Sequence, residues 1–245
     1  MERKYYKEIA MKNVVEMKDV HKCYTGQQIQ THALQGVSLD IRQGEFVAIT
    51  GPSGCGKSTL LSIMGLMDSA SEGQYHIANI NTSGLKVDQR TQIRNQHIGY
   101  VFQSFNLIDS LSVFENVALP LEHRFNKKAE IKERVEEVLE QVDMLHRKDY
   151  RPNQLSGGQQ QRIAIARALV GKPDLILVDE PTGNLDSKNG DQVMALLEQL
   201  NKEGSTIVMV THDSRYSRCA SRTIQLLDGK IVTEMAVLRD IQGAA

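Results

Sequence analysis

Residues 46–64 read FVAITGPSGCGKSTLLSIM, and this stretch decides the fold. It opens on the apolar run 46–49, which is typical of a short strand buried on both faces. Residues 51–58 match the pattern G-x-x-x-x-G-K-[ST], and a helical pattern follows from residue 59. Between a strand and a helix, the glycines let successive backbone N–H groups point inward and form an anion nest at the helix N-terminus. The stretch therefore predicts a site for nucleotide phosphates.

The side chains of this loop predict what each part of the site does. Lys57 brings a compact positive charge to the β and γ phosphates, and the hydroxyl of Ser58 is a ligand for Mg²⁺. The loop thus accounts for the phosphates and for one ligand of the metal. The residues assigned here to nucleotide binding are Gly51, Pro52, Ser53, Gly54, Cys55, Gly56, Lys57, Ser58 and Thr59.

A second motif supplies a further metal ligand. Residues 175–178 form an apolar strand pattern that ends in Asp179 and Glu180. Ligands of a parallel sheet gather at the carboxyl ends of its strands, where the loop after Ile49 also lies. Asp179 is therefore suited to the Mg²⁺ shell, and Glu180 is suited to orienting and deprotonating an attacking water.

A third motif adds another anion-binding terminus. Residues 155–159 read LSGGQ and precede a strong helical run over 160–169. A serine and two glycines at a helix start expose N–H groups to an anion, although serine is also a common N-cap of ordinary helices. Beside the other two motifs, the pentapeptide favours a second phosphate contact. Its predicted binding residues are Ser156, Gly157, Gly158 and Gln159.

The rest of the chain alternates strand and helix patterns, which indicates a mostly parallel, three-layer α/β sheet. We expect an α/β core with a small β-rich N-terminal layer and a helical insert over about 104–165. The remaining strand patterns cover residues 14–17, 34–41, 98–102 and 206–210, and the remaining helical patterns cover 128–145 and 188–200.

Composition excludes several other classes of protein. The 29 basic and 30 acidic side chains give a net charge of −1, which argues against a nucleic-acid binder. The apolar runs are far shorter than the ~20 residues of a membrane-spanning helix. The start, MERKYYKEIA, lacks the apolar segment of a secretory signal. Three widely spaced cysteines cannot all pair, so we expect a reduced, cytosolic chain.

Taken together, the motifs resemble those of ABC transporter ATP-binding subunits over residues 13–235. The strings LSGGQQQR (155–162), DEPTGNLD (179–186) and YVFQSFNL (100–107) are most similar to the lipoprotein-releasing and macrolide-export branch. The resemblance implies a P-loop ATPase core with an N-terminal antiparallel β layer and an inserted α-helical subdomain. We expect an N-terminal arm over 1–12 and one ATP-binding domain over 13–240, whose helical subdomain covers about 104–165.

The resemblance also implies that ATP is bound between two copies of the chain. In the family, the segment around Ser156 of one subunit closes over the γ-phosphate held by Lys57 of its partner. Tyr24 resembles the aromatic residue that stacks on adenine, and Asp186 resembles the aspartate that crosses the dimer interface. Cys55 stands where the family often has serine, at a variable position of the loop.

The catalytic roles follow in the same way. Gln103 resembles the glutamine that contacts Mg²⁺ or water, and His212 resembles the histidine that reaches the γ-phosphate. The other six histidines are assigned to polar surface or structural roles. The cofactors implied are ATP and Mg²⁺. The residues expected in catalysis are Glu180, His212 and Gln103, and those expected at the metal are Ser58, Gln103 and Asp179.

The implied function is ATP hydrolysis that drives a separate integral membrane permease, for export or extraction of a hydrophobic or amphipathic substrate. The chain is then peripheral at the cytoplasmic face of the inner or plasma membrane, and a periplasmic adaptor is a further candidate partner. The apolar stretch 105–114 fits either a packed core or the groove that receives the permease.

Other ATPases share some of these motifs. A kinase would not explain LSGGQ together with the two acids, a DNA-repair ATPase needs a long coiled-coil insertion, and a translation-type protein carries two cassettes. The alternative that stays open is a cell-division type of ATPase, which transmits force to a membrane partner without moving a substrate. In both types, the membrane partner determines which substrate, if any, is moved.

Overall fold

The computed structural model describes residues 12–25, 30–122 and 127–236. The predicted N-terminal arm therefore lies outside the described residues, apart from residue 12, and so do residues 237–240 of the predicted domain. The strands are β1 Asn13–Thr25, β2 Gln30–Arg42, β3 Phe46–Thr50, β4 Glu72–Ile77, β5 Ile80–Asn81, β6 Ile98–Val101, β7 Leu175–Asp179, β8 Ile207–Val210, β9 Arg222–Leu227 and β10 Lys230–Ala236. The helices are α1 Lys57–Met64, α2 Val87–His97, α3 Val113–Ala118, α4 Lys128–Gln141, α5 Gly157–Leu169, α6 Ser187–Lys202 and α7 Ser214–Ser217.

The described strands form two sheets. The larger has the order β10-β9-β3-β8-β7-β6 and is parallel except for the antiparallel edge strand β10. The smaller has the order β2-β1-β4-β5 and is antiparallel throughout. The predicted α/β class with an antiparallel N-terminal layer is confirmed.

The core lies on both faces of the larger sheet. Along β3, Phe46 and Ala48 face one hydrophobic cluster, while Val47 and Ile49 face the other, and all four are fully buried. The first cluster includes side chains of α3, α4, α5 and α6, whereas the second includes those of α1 and the antiparallel sheet. Because successive side chains of a strand point to opposite faces, a strand covered on both sides has to be apolar throughout.

The helical region lies between β6 and β7 in the chain. Helix α4 ends at Gln141, earlier than the predicted 145, because Asp143 adopts a left-handed conformation with φ 58° and turns the chain. A short 3-10 helix, Leu145–Arg147, follows. Where the helical subdomain begins and ends stays a prediction.

Over the described parts of the chain, the helices are too short or too polar to cross a bilayer.

Candidate active site

The phosphate loop joins β3 to α1 in a conformation that only glycine fits. Gly51 has φ 151° and Gly56 has φ 105°, both in a region that other residues rarely adopt. A Cβ at Gly51 would lie 2.1 Å from the carbonyl oxygen of Leu226, and one at Gly56 would lie 2.4 Å from that of Ala33. The loop therefore packs closely against β9 and β2.

Lys57 is held inside this loop. Its Nζ donates hydrogen bonds to the carbonyl oxygens of Gly51 at 2.9 Å and Pro52 at 2.7 Å, and the residue is 9% exposed. The Sγ atom of Cys55 is 3.8 Å from the same amine. Since backbone carbonyl groups carry no net charge, these two hydrogen bonds leave the positive charge of Lys57 available to an anion in the loop.

Parallel register brings the two acids to the same edge of the sheet. Ile49 of β3 and Asp179 of β7 both pair with Val210 of β8, so the three strands end at one level. Burial of the Asp179 carboxyl and repulsion from Glu180 raise the pKa of Asp179, while Lys57 lowers it by a smaller amount. A cation at this edge would favour the ionised form of Asp179.

Glu180 is placed by an uncommon backbone conformation. Its φ is 43°, which is costly for a residue with a Cβ, and its backbone N–H donates to the carbonyl oxygen of Val210 at 3.0 Å. The Oε1 atom of Glu180 lies 3.1 Å from Nδ1 of His212, which follows the neighbouring strand β8. This contact leaves Nε2 of the largely exposed His212 ring for another partner.

Gln103 follows β6, the strand beside β7. Its side chain is exposed, and its carbonyl oxygen accepts a hydrogen bond from Nδ2 of Asn184 at 2.9 Å. A Cβ at Gly183 would lie 2.8 Å from Nε2 of Gln103, so the amide rests against the loop after Glu180. Gln103 is thus at the same edge of the sheet as Asp179.

An open cleft of about 580 Å³ lies over the phosphate loop, within the usual size range of ligand sites. The sequence-predicted residues Pro52, Cys55, Gln103 and Asp179 are not among the described residues that line it. Thr31, Ala33 and His32, a histidine assigned to the surface or a structural role from the sequence, do line it. The lining residues are Tyr24, Thr31, His32, Ala33, Gly51, Ser53, Gly54, Gly56, Lys57, Ser58, Thr59, Glu180 and His212.

The LSGGQ segment is not among the described residues that line this cleft. Ser156 is the N-cap of α5: its Oγ accepts from the Gln159 N–H at 3.4 Å, and Gln159 Oε1 accepts from the Ser156 N–H at 3.0 Å. A Cβ at Gly158 would lie 2.6 Å from Oδ1 of Asn189 in α6. The start of α5 is thus packed on the start of α6.

Asp186 lies at this contact between α5 and α6. It is the N-cap of α6 and accepts hydrogen bonds from the backbone N–H of Asn189 at 2.9 Å and its Nδ2 at 2.6 Å. These bonds lower the pKa of the Asp186 carboxyl. Within the described chain, neither Ser156 nor Asp186 lines the cleft over Lys57. Within one chain, the phosphate loop with Lys57 and the helix start at Ser156 therefore do not form a single pocket.

The residues at the sheet edge fit a nucleotide and a magnesium ion. The glycine loop and Lys57 match a polyphosphate, and the hydroxyl of Ser58 and the carboxylate of Asp179 are hard oxygen donors of the kind that Mg²⁺ prefers. Among the described residues, no group of three or more His, Cys, Asp or Glu side chains could hold a metal alone.

Sequence comparisons assign this arrangement to a family. The profile described as "ABC transporter" matches residues 34–183. The chain is 48% identical over 226 residues to "Uncharacterized ABC transporter ATP-binding protein MJ0796" of Methanocaldococcus jannaschii, covering 90% of this chain and 96% of that protein. It is 47% identical over 222 residues to "Macrolide export ATP-binding/permease protein MacB" of Chlorobium luteolum. That match covers 90% of this chain, which spans only 33% of the length of the MacB relative.

Structural comparison agrees. "Dimeric structure of a post-hydrolysis state of the ATP-binding cassette MJ0796 bound to ADP and Pi" superposes with a TM-score of 0.84 at 46% identity, covering 92% of this chain and 99% of that one. The structure of cbiO1 from Clostridium perfringens, "Part of the ABC transporter complex cbiONQ", gives a TM-score of 0.82 at 29% identity, covering 92% and 89%. The chain belongs to the ABC transporter family, as one of its ATP-binding cassettes.

Proposed function

We propose that this cassette hydrolyses ATP between two copies of itself and that closure and opening of this dimer drive a separate membrane permease. The observation that carries the proposal is the separation of the Lys57 cleft from the Ser156 segment within one chain. A second copy, turned by a two-fold axis, brings its Ser156 segment over the first copy's phosphate loop, and the reverse contact forms at the same time. The similarity to MJ0796, whose structure is described as dimeric, supports this assembly.

ATP binding uses residues of one copy. The N–H groups of residues 51–58 and the ammonium of Lys57 hold the phosphates, and Tyr24 at the cleft rim offers a ring face to the base. Ser58 and Asp179 would hold Mg²⁺, with Gln103 beside them. When bound, the metal neutralises charge on the phosphates.

Hydrolysis uses Glu180 and His212 of the same copy. Glu180 orients a water and accepts its proton while the water oxygen bonds to the γ-phosphorus. The bond from that phosphorus to the ADP oxygen breaks, and ADP and phosphate leave. His212, held by Glu180 through Nδ1, is positioned to contact a γ-phosphate oxygen through Nε2. The Ser156 hydroxyl and the adjacent N–H groups of the second copy stabilise the same charge from the opposite side.

The membrane partner is inferred from the relatives. Proteins named for macrolide export join an ATP-binding part and a permease in one chain, and the present chain matches about a third of their length. We place the cassette at the cytoplasmic face of the membrane, bound to a separate permease that exports or extracts a hydrophobic or amphipathic substrate. A periplasmic adaptor would join through the permease.

A complementation assay tests the composite site. Lys57→Ala and Ser156→Arg each disable both sites of a homodimer, so we expect either variant alone to be inactive. Mixed in equal amounts, they form heterodimers in which one site keeps both Lys57 and Ser156. With random pairing, about one quarter of the wild-type number of sites is intact, so ATPase activity returns to roughly that level.

The matched control mixes Lys57→Ala with Glu180→Gln. Both residues lie in the same half-site, so each site of their heterodimer carries one lesion and activity stays absent. If the first mixture is as inactive as the second, the phosphate loop and the Ser156 segment do not act across copies and the proposal is wrong.

A further inference from the structure

The ring of Tyr24 is carried by an extension of the smaller sheet. Tyr24 lies near the end of β1 and pairs with Thr31 of β2. Strand β4 pairs with β1 only as far as His21, opposite Glu72, in the described residues. Beyond that point, in the described residues, β1 pairs with β2 alone. Side-chain contacts are therefore the remaining means of holding the ring.

Asp68 supplies the fixed point. Its Oδ2 accepts a hydrogen bond from the Tyr24 hydroxyl at 3.0 Å. Its Oδ1 accepts from Nζ of Lys22 at 2.7 Å and from the backbone N–H of Ser69 at 2.7 Å. Burial raises the pKa of the Asp68 carboxyl, but these hydrogen bonds outweigh burial and leave the pKa below its usual value. Asp68 therefore stays ionised at neutral pH and keeps its contacts.

Lys22 occupies one side of the ring. Its ammonium lies 4.9 Å from the Tyr24 ring centroid, close enough for a cation–π contact, and it also donates to the carbonyl oxygen of Ser69 at 2.9 Å. Lys22 is buried, whereas Tyr24 is 44% exposed and lines the cleft. The ring is thus supported from behind and open toward the cleft.

The support is attached to the phosphate loop. Helix α1 begins at Lys57 and ends at Met64, and the backbone N–H of Asp68 donates to the carbonyl oxygen of Ser62 in that helix at 3.2 Å. A ring that is hydrogen-bonded to Asp68 therefore keeps a constant distance from the phosphate loop. This matters because the distance between the base and the phosphates of a nucleotide is also limited.

We infer that Lys22 and Asp68 are positioning residues, which hold the Tyr24 ring at the spacing that a bound adenine base requires. The inference rests on the proposed function, because it concerns the same nucleotide. A ring fixed before binding loses little conformational freedom when the base stacks on it, and this preorganisation strengthens binding without touching the reacting phosphate. Substitution of Lys22 or Asp68 should therefore raise KM for ATP and leave kcat unchanged.

The test compares Asp68→Ala and Lys22→Met with wild type in an ATPase assay. We expect each variant to raise KM for ATP by roughly three- to tenfold and to change kcat by less than about twofold. Inorganic tripolyphosphate, which has no base, should inhibit wild type and variants with the same inhibition constant. Glu140→Gln removes an exposed carboxylate on α4 and serves as the control.

A double-mutant cycle with Tyr24→Ala separates positioning from a general structural effect. In a chain without the ring, Asp68→Ala should change KM by less than about twofold, because the positioned group is gone. An unchanged KM in Asp68→Ala, an equal loss of tripolyphosphate binding, or a full effect without the ring would each overturn the inference. A wild-type chain that does not hydrolyse ATP would instead overturn the proposed function.

Discussion

Two adjacent carboxylates end strand β7, and their surroundings set them apart. The Asp179 carboxyl is half-buried near Lys57, where burial raises its pKa. Glu180 instead turns through a left-handed backbone conformation toward His212. Neighbouring residues of the same chemical type thus reach different positions, one suited to a metal and the other to a water. Such division of labour is common where the environments of two acids differ.

The raised pKa of Asp179 predicts a pH-dependent cost to stability. The unfolded chain has the ordinary value of 3.8, so the folded state binds this proton more tightly than the unfolded state does. As pH rises from 3.8 through the folded-state pKa, the fold loses stability, and the loss is complete above that pKa. Asp179→Asn, which carries no charge, should therefore unfold at a higher temperature than wild type at pH 7.

Thermal unfolding without nucleotide, measured between pH 4 and pH 8, checks this prediction. We expect the difference between Asp179→Asn and wild type to shrink as the pH falls toward 4. Asp109→Asn, at an exposed position, controls for the general loss of a negative charge. A variant that is less stable than wild type at pH 7 would contradict the assignment of the cost to Asp179.

At the scale of elements, the contact of α5 with β6 decides where the LSGGQ segment stands. Gly99 of β6 faces α5 so closely that a Cβ would lie 2.4 Å from the carbonyl oxygen of Ala168. Since that oxygen belongs to the helix backbone, it cannot turn away as a side chain could. The position of the whole helix, including Ser156 at its start, depends on this glycine.

Gly99→Ala should destabilise the fold by about 1–3 kcal/mol, because the added methyl group overpacks the contact between β6 and α5. Chemical denaturation measures the change. Adding Ala168→Gly to the same chain should not restore stability, since the closest contact of the new Cβ is the carbonyl oxygen at 2.4 Å, while the Ala168 Cβ lies farther away at 3.1 Å. Restoration by the second substitution would show that side-chain crowding is the cause.

The elements that were predicted from the sequence are those in which the spacing of apolar residues follows the buried face. Strands β3, β7 and β8 are fully apolar along their buried lengths, and α6 has a clear apolar stripe. Helix α2 has no buried residue and hence no stripe to detect.

Two pairs of neighbouring strands, β4–β5 and β9–β10, were not predicted from the sequence. The residues of the connecting turn give a sequence signal for β9–β10 but not for β4–β5. Asp228 and Gly229 both have positive φ and join β9 to β10 in a two-residue turn, for which Asp-Gly is a known signal. Ala78 and Asn79 form a similar turn between β4 and β5, but Ala-Asn does not indicate one.

The parts of the site that lie within one motif were predictable, and those that tertiary contacts assemble were not. Residues 51–58 and Asp179–Glu180 follow directly from spacing and strand ends. His32 enters the cleft because β2 pairs with β1, and Asp68 reaches Tyr24 across 44 residues of chain. Such long-range contacts leave no local pattern in the sequence.

At the scale of the whole molecule, the segment after Gln103 is the surface that we propose for contact with the membrane partner. Phe105 and Leu107 are partly buried and pack against the core, whereas Ile108 is 44% exposed. Arg167 of α5 donates to the carbonyl oxygens of Phe105 at 2.8 Å and Asn106 at 2.5 Å, which ties the segment to the LSGGQ helix. A partner bound here would move together with that helix.

Replacing Ile108 with the photoreactive benzoylphenylalanine should crosslink the cassette to an integral membrane protein when membranes are irradiated. Val232, which is 50% exposed on the opposite edge strand β10, receives the same replacement as the control. Mass spectrometry of the adduct should map the contact to a cytoplasmic segment of a protein with several membrane spans. Equal crosslinking from both positions would remove this surface from the proposed interface.

The position of the Ser156 segment outside the cleft over Lys57 has a kinetic consequence. In the proposed site between two copies neither chain holds a whole reaction centre, so we expect the hydrolysis rate to vary with the square of protein concentration when copies are scarce, and linearly once they are paired. Newly made chains that have met no partner would then leave the cellular nucleotide pool intact. Under this proposal, dividing the site between two chains prevents futile turnover without any inhibitor.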